Sequence, residues 1–276
     1  MKLLENDFFI DEIVHSLKSK DYSLPFIVGR EKKCIDIALF FFYYARYSSD
    51  EQSEEYAYNL IEKVLSSPYW GRNIFYSTGL TGIGSCLIFL EKEKFVEIDA
   101  DDVFLGIDDN MAKVIKNYIL YNYSFSTGLI GLCHYMIERQ KYPEVIHIAL
   151  DKLIKSFTPS DNKRMQINPV FLYPSEILED LKLFVSTVEK EKMFPDFTHQ
   201  LRNDIELFEL NKDILQSNCN EYKIIQQIRK AKIENNMQEI PSLLQSLIET
   251  TSDIVLKGLS YMYLKNPTLP TWWTLL

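Results

Sequence analysis

Cysteine and histidine, the side chains most often used for nucleophilic and metal chemistry, are few in this chain, and the cysteines are widely separated from one another. The four cysteines are Cys34, Cys86, Cys133 and Cys219, and no two of them have the C-x-x-C or similar spacing of a dense metal site. The four histidines do not combine with a serine or cysteine and an acid into a triad that the sequence identifies. We therefore expect the cysteines to be buried, reduced thiols.

The densest group of acidic residues comprises Asp99, Asp101 and Asp102, followed by Asp108 and Asp109. An EF-hand calcium loop needs acids at alternate positions, then a glycine and a glutamate at the twelfth position, and this stretch lacks that pattern. Acids at the start of a helix cap its free N–H groups and favour its dipole, so we expect capping here rather than metal binding. A carboxylate pair for sugar hydrolysis cannot be chosen among thirty-nine acidic residues.

A glycine turn occurs twice, at residues 77–84 (STGLTGIG) and 126–132 (STGLIGL), with a spacing of 49 residues. A nucleotide-binding loop would need a preceding strand or a Gly-Lys-Ser/Thr ending, and neither is present. A fixed glycine with a period near fifty in helical sequence predicts repeated helical hairpins. Five of the nine glycines should therefore lie at helix entrances, where glycine permits positive φ and close backbone approach: Gly79, Gly82, Gly84, Gly128 and Gly131.

Apolar residues recur at helical spacing almost throughout, and no alternating strand pattern is evident, so the predicted fold class is all-α. Helices are predicted to start at three places: at Ser48 to Asp50, at Asp99 or Asp101, and at Pro174-Ser175. The second helix of each hairpin is expected at about residues 83–92 and 129–140. Loops are expected at 158–169 and 194–198, and Gly258 is interpreted as a third, eroded copy of the turn. Since no Pro-, Gly- or Ser-rich linker divides the chain, residues 1–276 are expected to form a single domain.

The overall composition excludes some partners. A formal net charge of -9, without a basic cluster, argues against nucleic-acid binding. The longest apolar run, residues 37–45, is far shorter than the roughly 20 residues that cross a bilayer. The first ten residues lack the features of a secretory signal. These observations predict a cytoplasmic protein without membrane insertion.

Residues 78–90, followed by 95–103, resemble the first glycine repeat of lanthionine synthetase C-like proteins. Residues 125–132 look like the next repeat, and residues 258–264 look like the closing one. The resemblance implies an α/α toroid of helical hairpins, here shortened or incomplete because relatives are longer. It also implies glycine turns near one mouth of the ring, where Tyr121 and Tyr123 are candidates to contact a peptide.

Enzymes of that family hold zinc through two cysteines and a histidine, with an adjacent Cys-His pair just before a glycine. The adjacent pair in this chain, Cys133-His134, follows the glycines of its turn instead and is out of register. Cys219 lacks the flanking Trp and Gly of the family, and nothing local connects it with His199. We therefore expect no metal, with a rearranged zinc site from Cys133, His134, His199 and Cys219 as the alternative.

These features predict a non-catalytic lanthionine synthetase C-like protein that binds a precursor peptide or a partner enzyme during peptide modification. One alternative is an active zinc-dependent peptide cyclase with a rearranged site. Another is a toroidal enzyme that acts on sugars or isoprenoids. Loss of hairpins from a toroid would expose apolar surface, so a homodimer or a protein partner is also expected.

Overall fold

A computed structural model describes residues 8–19, 30–67, 73–117, 122–157, 174–210, 220–270 and 272. Within these ranges the chain forms twelve α-helices and no β-strand, which confirms the all-α prediction. The helices are α1 (Phe8–Lys18), α2 (Arg30–Ser48), α3 (Glu51–Leu65), α4 (Leu80–Lys92), α5 (Ala100–Lys116), α6 (Leu129–Arg139), α7 (Pro143–Phe157), α8 (Pro174–Lys190), α9 (Pro195–Leu210), α10 (Asn220–Ile233), α11 (Ile240–Thr250) and α12 (Ile254–Lys265). None of these described helices is long and apolar enough to cross a membrane.

The helices group into two compact units. The first contains α1–α4 and α10–α12, and in it α2 packs against α3, α4 and α12. The second contains residues 74–77 and the chain from Asp101 through α9, and in it α6 packs against α7 and α8. The expectation of a single domain over residues 1–276 stays a prediction.

The core of the first unit is aromatic and is centred on α2. Phe40, Phe41, Phe42 and Tyr43 are consecutive and fully or almost fully buried, so α2 contacts neighbours around its whole circumference. The ring of Phe95, just after α4, lies 5.2 Å from the ring of Tyr43. Packing rather than intrinsic helix propensity therefore holds this helix in place.

Several predicted helix ends are confirmed. Asp50 caps α3, because its side chain accepts a hydrogen bond from the N–H of Gln52. The helix predicted at 129–140 is α6, and α5 begins directly after Asp99. The helix predicted from residue 83 begins three residues earlier, at Leu80, so that Gly82 and Gly84 lie inside α4.

Two predictions were wrong. The loop expected at 194–198 is mostly helix, because α9 begins at Pro195, a residue suited to the first turn of a helix. Gly258 is not at a turn but lies inside α12, which begins after the cap Asp253. A Cβ on Gly258 would lie 2.3 Å from a ring carbon of Phe40, so this glycine serves helix packing. The loop expected at 158–169 lies outside the described residues.

The cap of α12 carries a charge that depends on pH. The carboxylate of Asp253 accepts hydrogen bonds from the N–H groups of Val255 (2.8 Å) and Leu256 (3.2 Å) and from Lys33 (2.9 Å). Burial acts to raise the pKa of Asp253, but the hydrogen bond and charge of Lys33 and the two N–H groups outweigh it and lower this pKa. The ionised carboxylate therefore stabilises the fold at neutral pH.

We expect Asp253→Ala to lower the free energy of unfolding by about 1–2 kcal/mol at pH 7, as for the loss of other N-caps. Asp253→Asn keeps a capping oxygen and should cost less. A carboxyl group with a lowered folded-state pKa stabilises above about pH 4 and loses that contribution as pH falls through the folded value. Urea titrations at neutral and acidic pH should therefore show the gap between wild type and Asp253→Asn closing on acidification. A gap that stays constant would contradict this role.

Candidate functional site

The two glycine turns share a longer pattern than the glycines alone. Residues 73–80 (NIFYSTGL) and 122–129 (NYSFSTGL) both have asparagine, two variable residues, an aromatic residue, then Ser-Thr-Gly-Leu. Neither the asparagine nor the aromatic residue was predicted to be part of the turn. Comparing the two copies over a wider window would have found them, since the spacing of 49 residues is the same.

The asparagine closes each turn through the same hydrogen bonds. In the first turn, Nδ2 of Asn73 donates to Oγ1 of Thr78 (2.9 Å) and to its carbonyl oxygen (3.4 Å), and the N–H of Leu80 donates to the Asn73 carbonyl (2.7 Å). In the second turn, Nδ2 of Asn122 donates to both oxygens of Thr127 at 3.0 Å. The two loops therefore have equivalent local geometry.

Glycine precedes each helix because the backbone folds back against it. A Cβ on Gly79 would lie 2.2 Å from the carbonyl oxygen of Asn73, and one on Gly128 would lie 2.4 Å from that of Asn122. Both glycines have negative φ, -143° and -130°, so close approach rather than positive φ requires them. Gly131, the third residue of α6, is also buried against backbone, since its Cβ would lie 2.0 Å from the carbonyl oxygen of Phe125.

In the second unit, residues 74–77 contact the second turn. The N–H of Ser77 donates to the carbonyl oxygen of Ser126 (2.9 Å), and the rings of Tyr76 and Phe125 lie 4.4 Å apart. The ring of His134 packs edge-on against both rings, with centroid distances of 5.6 Å and 5.1 Å. These contacts join equivalent positions of the two copies.

Asp180 of α8 holds the second turn through a hydrogen bond to its backbone. Its carboxylate accepts a hydrogen bond from the N–H of Phe125 at 2.7 Å, and the residue is buried. A hydrogen bond between a carboxylate and a backbone N–H is stronger than one between neutral groups. The position of this turn is therefore set by a side chain more than fifty residues further along the chain.

Exposure decides which groups of the turns can meet a ligand. Ser77, Thr78 and Ser126 are exposed, whereas the glycines are buried. Tyr123, predicted at the mouth of a toroid, is only 6% exposed, so its ring belongs to the interior. Tyr121 lies outside the described residues. Hydroxyl and backbone groups, rather than tyrosine rings, therefore form the described surface of the turns.

The candidate zinc ligands are not brought together among the described residues, where no group of three or more His, Cys, Asp or Glu side chains could hold a metal. Cys133 is fully buried, and burial raises the pKa of its thiol. Nδ1 of His134 lies 3.7 Å from Oε1 of Glu138. His199 is exposed on α9 and its ring contacts the amide of Asn203. Cys219 lies outside the described residues.

Two of the acidic residues of α5, Asp101 and Asp108, belong to a hydrogen-bonded network instead of an open cation site. Asp108, fully buried, accepts hydrogen bonds from the Tyr135 hydroxyl (2.7 Å) and from Nε and Nη2 of Arg139 (3.1 and 2.8 Å). Asp101 accepts hydrogen bonds from Lys141 and Arg139, both at 2.8 Å, and these bonds lower the pKa of Asp101. The network joins α5 to the end of α6 and gives Arg139 a structural role that its sequence context did not indicate.

Comparisons with family models, curated proteins and solved structures found no match for this chain.

Proposed function

We propose that this protein is a non-catalytic, lanthionine synthetase C-like protein that binds a peptide during peptide modification. The peptide is a precursor or a segment of a partner enzyme. The observation that carries the proposal is the duplicated turn, with the same closing hydrogen bonds in both copies and exposed serines at equivalent positions, Ser77 and Ser126. In this proposal the helical hairpins belong to a shortened α/α toroid.

The chemistry of the turns fits a peptide. A serine hydroxyl both donates and accepts hydrogen bonds, as the alternating N–H and C=O groups of an extended peptide require. Ser77 and Ser126 are adjacent in the second unit, because the N–H of one donates to the carbonyl oxygen of the other. Recognition by two neighbouring polar positions over a packed aromatic pair, Tyr76 and Phe125, is compatible with a rigid binding surface.

The non-catalytic part of the proposal rests on Cys133. This thiol is fully buried, and among the described residues no group of three or more His, Cys, Asp or Glu side chains that could hold a metal includes it. A cyclase of the resembled family uses thiolates both as zinc ligands and as the activated nucleophile of its peptide. A fully buried cysteine of this kind packs in the protein core as a small apolar residue.

We expect the full chain to bind fluorescein-labelled synthetic peptides rich in Ser, Thr and Cys, with micromolar dissociation constants by fluorescence anisotropy. Peptides of positive net charge should bind more tightly than negative ones, because the protein carries a formal net charge of -9. Ser77→Trp and Ser126→Trp, which add bulk without charge, should each weaken binding about tenfold, or about 1.4 kcal/mol.

Ser252→Trp is the matched control, since Ser252 is exposed and lies between α11 and α12 in the first unit. If Ser252→Trp weakens peptide binding as much as the other two variants, the effect is not specific to the glycine turns. If none of the labelled peptides binds the wild type, the proposal is wrong. Zinc analysis of protein purified without chelator provides a separate check. One tightly held zinc per chain, lost in Cys219→Ala, would favour the zinc-dependent cyclase instead.

A further inference from the structure

The solvent-facing side of α5 combines an exposed leucine, a glycine and four charged residues. Its buried side is formed by Phe104, Asp108, Met111 and Ile115. The opposite side is exposed, and we call it the α5 outer face: Asp102, Leu105, Gly106, Asp109, Lys113 and Lys116. Leu105 is 57% exposed, one of the few large apolar side chains so exposed in the described part of the chain.

Gly106 lies in the middle of this face, where glycine weakens a helix. A Cβ at this position would meet nothing within 4 Å, so the described structure gives no packing reason for glycine. This contrasts with Gly79, Gly128, Gly131 and Gly258, each of which is pressed against a neighbouring group. Close approach by the backbone of a second molecule would supply the missing reason.

The charges of the face are ordered along the helix. Asp102 and Asp109 precede Lys113 and Lys116. Asp109 also accepts a hydrogen bond from Tyr142, and Nζ of Lys116 lies 3.7 Å from Oε1 of Glu144. Leu105 and Gly106, at the centre of the face, nevertheless remain exposed. Acids first and bases last favour the dipole of a single helix, but they also make the face complementary to itself when two copies run antiparallel.

We propose that the α5 outer face binds a second copy of this chain, as an antiparallel α5 pair about a two-fold axis. In such a pair, adding the number of a residue to the number of the residue that faces it in the second copy always gives the same sum. The register that places Asp102 opposite Lys113 of the second copy also places Asp99 opposite Lys116 and Gly106 opposite Asp109. A parallel pair in register would instead oppose like charges.

The interface is small and polar, which sets its strength. A single helix pair buries less than the roughly 1,200 Å² of a standard stable interface, so a weak, reversible dimer is expected. Salt screens the exposed ion pairs of the interface, and it also screens the repulsion between two copies that each carry a formal net charge of -9. Charge swaps on the face therefore test the pairing more directly than ionic strength does.

Sedimentation velocity of the full chain, up to about 1 mM, tests the proposal directly. At an ionic strength of about 0.15 M, where the Debye length is about 8 Å, the wild type should form a dimer within this concentration range. Asp102→Lys and Lys113→Asp should each weaken the dimer, and the two together should restore it, because each swapped residue then faces its new opposite charge. Gly106→Gln should also weaken the dimer while the helix remains folded.

Glu55→Lys and Lys190→Asp are matched controls for net charge, since both residues are exposed on other helices. They should leave the dimer within about threefold of wild type, a difference under about 0.7 kcal/mol. A wild-type protein that stays monomeric throughout the concentration range at an ionic strength of about 0.15 M would overturn the proposal. So would a double charge swap that dimerises no better than either single variant.

Discussion

Replacing Gly131 by alanine is expected to lower the free energy of unfolding by about 3 kcal/mol, because overpacking against fixed backbone is costly. The added methyl group would lie 2.0 Å from the carbonyl oxygen of Phe125 and 2.8 Å from Cβ of Tyr76. Neither atom is the end of a flexible side chain, so relief requires movement of the second turn itself. The loss should exceed the gain that alanine normally brings to a helix.

Gly106→Ala is the matched control, since it makes the same chemical change inside a helix. Its methyl group meets nothing within 4 Å, so we expect a gain of about 0.5–1 kcal/mol from helix propensity. Urea unfolding followed by circular dichroism measures both variants, with the midpoint and slope compared separately. If both alanines change stability in the same direction, the close contact at Gly131 does not control the turn.

The sequence predicted local features of the turns better than their surroundings. Gly79 and Gly128 directly precede α4 and α6, as predicted. The spacing of 49 residues between the two turns is visible in the amino-acid sequence itself. Of the two predicted reasons for these glycines, close backbone approach is confirmed, but positive φ is wrong because both residues have negative φ. Backbone torsions depend on the fold of the whole loop, which asparagine side chains close.

Errors arose where distant residues decide the structure. Gly258 was predicted to be a third copy of the glycine turn, but it lies inside α12, where Phe40 of α2 packs against it. The buried pairing of Asp108 with Arg139 joins residues 31 positions apart, and Asp180 reaches Phe125 over 55 positions. Neither pairing has a periodicity or motif that sequence analysis could detect.

The buried network carries the second large expected effect. Asp108 is fully buried, and the side chain of Arg139 is only 6% exposed. Removing one partner of a buried ion pair leaves an uncompensated charge, so Arg139→Met should lower the free energy of unfolding by about 3–5 kcal/mol. The methionine keeps apolar bulk near Phe104, over whose ring the guanidinium lies at 5.6 Å. Urea unfolding at neutral pH measures this loss.

Two further variants separate charge from packing. Lys141→Met removes a partly exposed cation whose closest partner, Asp101, is 68% exposed, so it should cost less than about 1 kcal/mol. Arg139→Met combined with Asp108→Leu leaves no buried charge and should recover much of the loss. Recovery will be incomplete, because the Tyr135 hydroxyl loses its acceptor. A double variant as unstable as Arg139→Met would mean that packing around Arg139, rather than the unpaired carboxylate of Asp108, accounts for the effect.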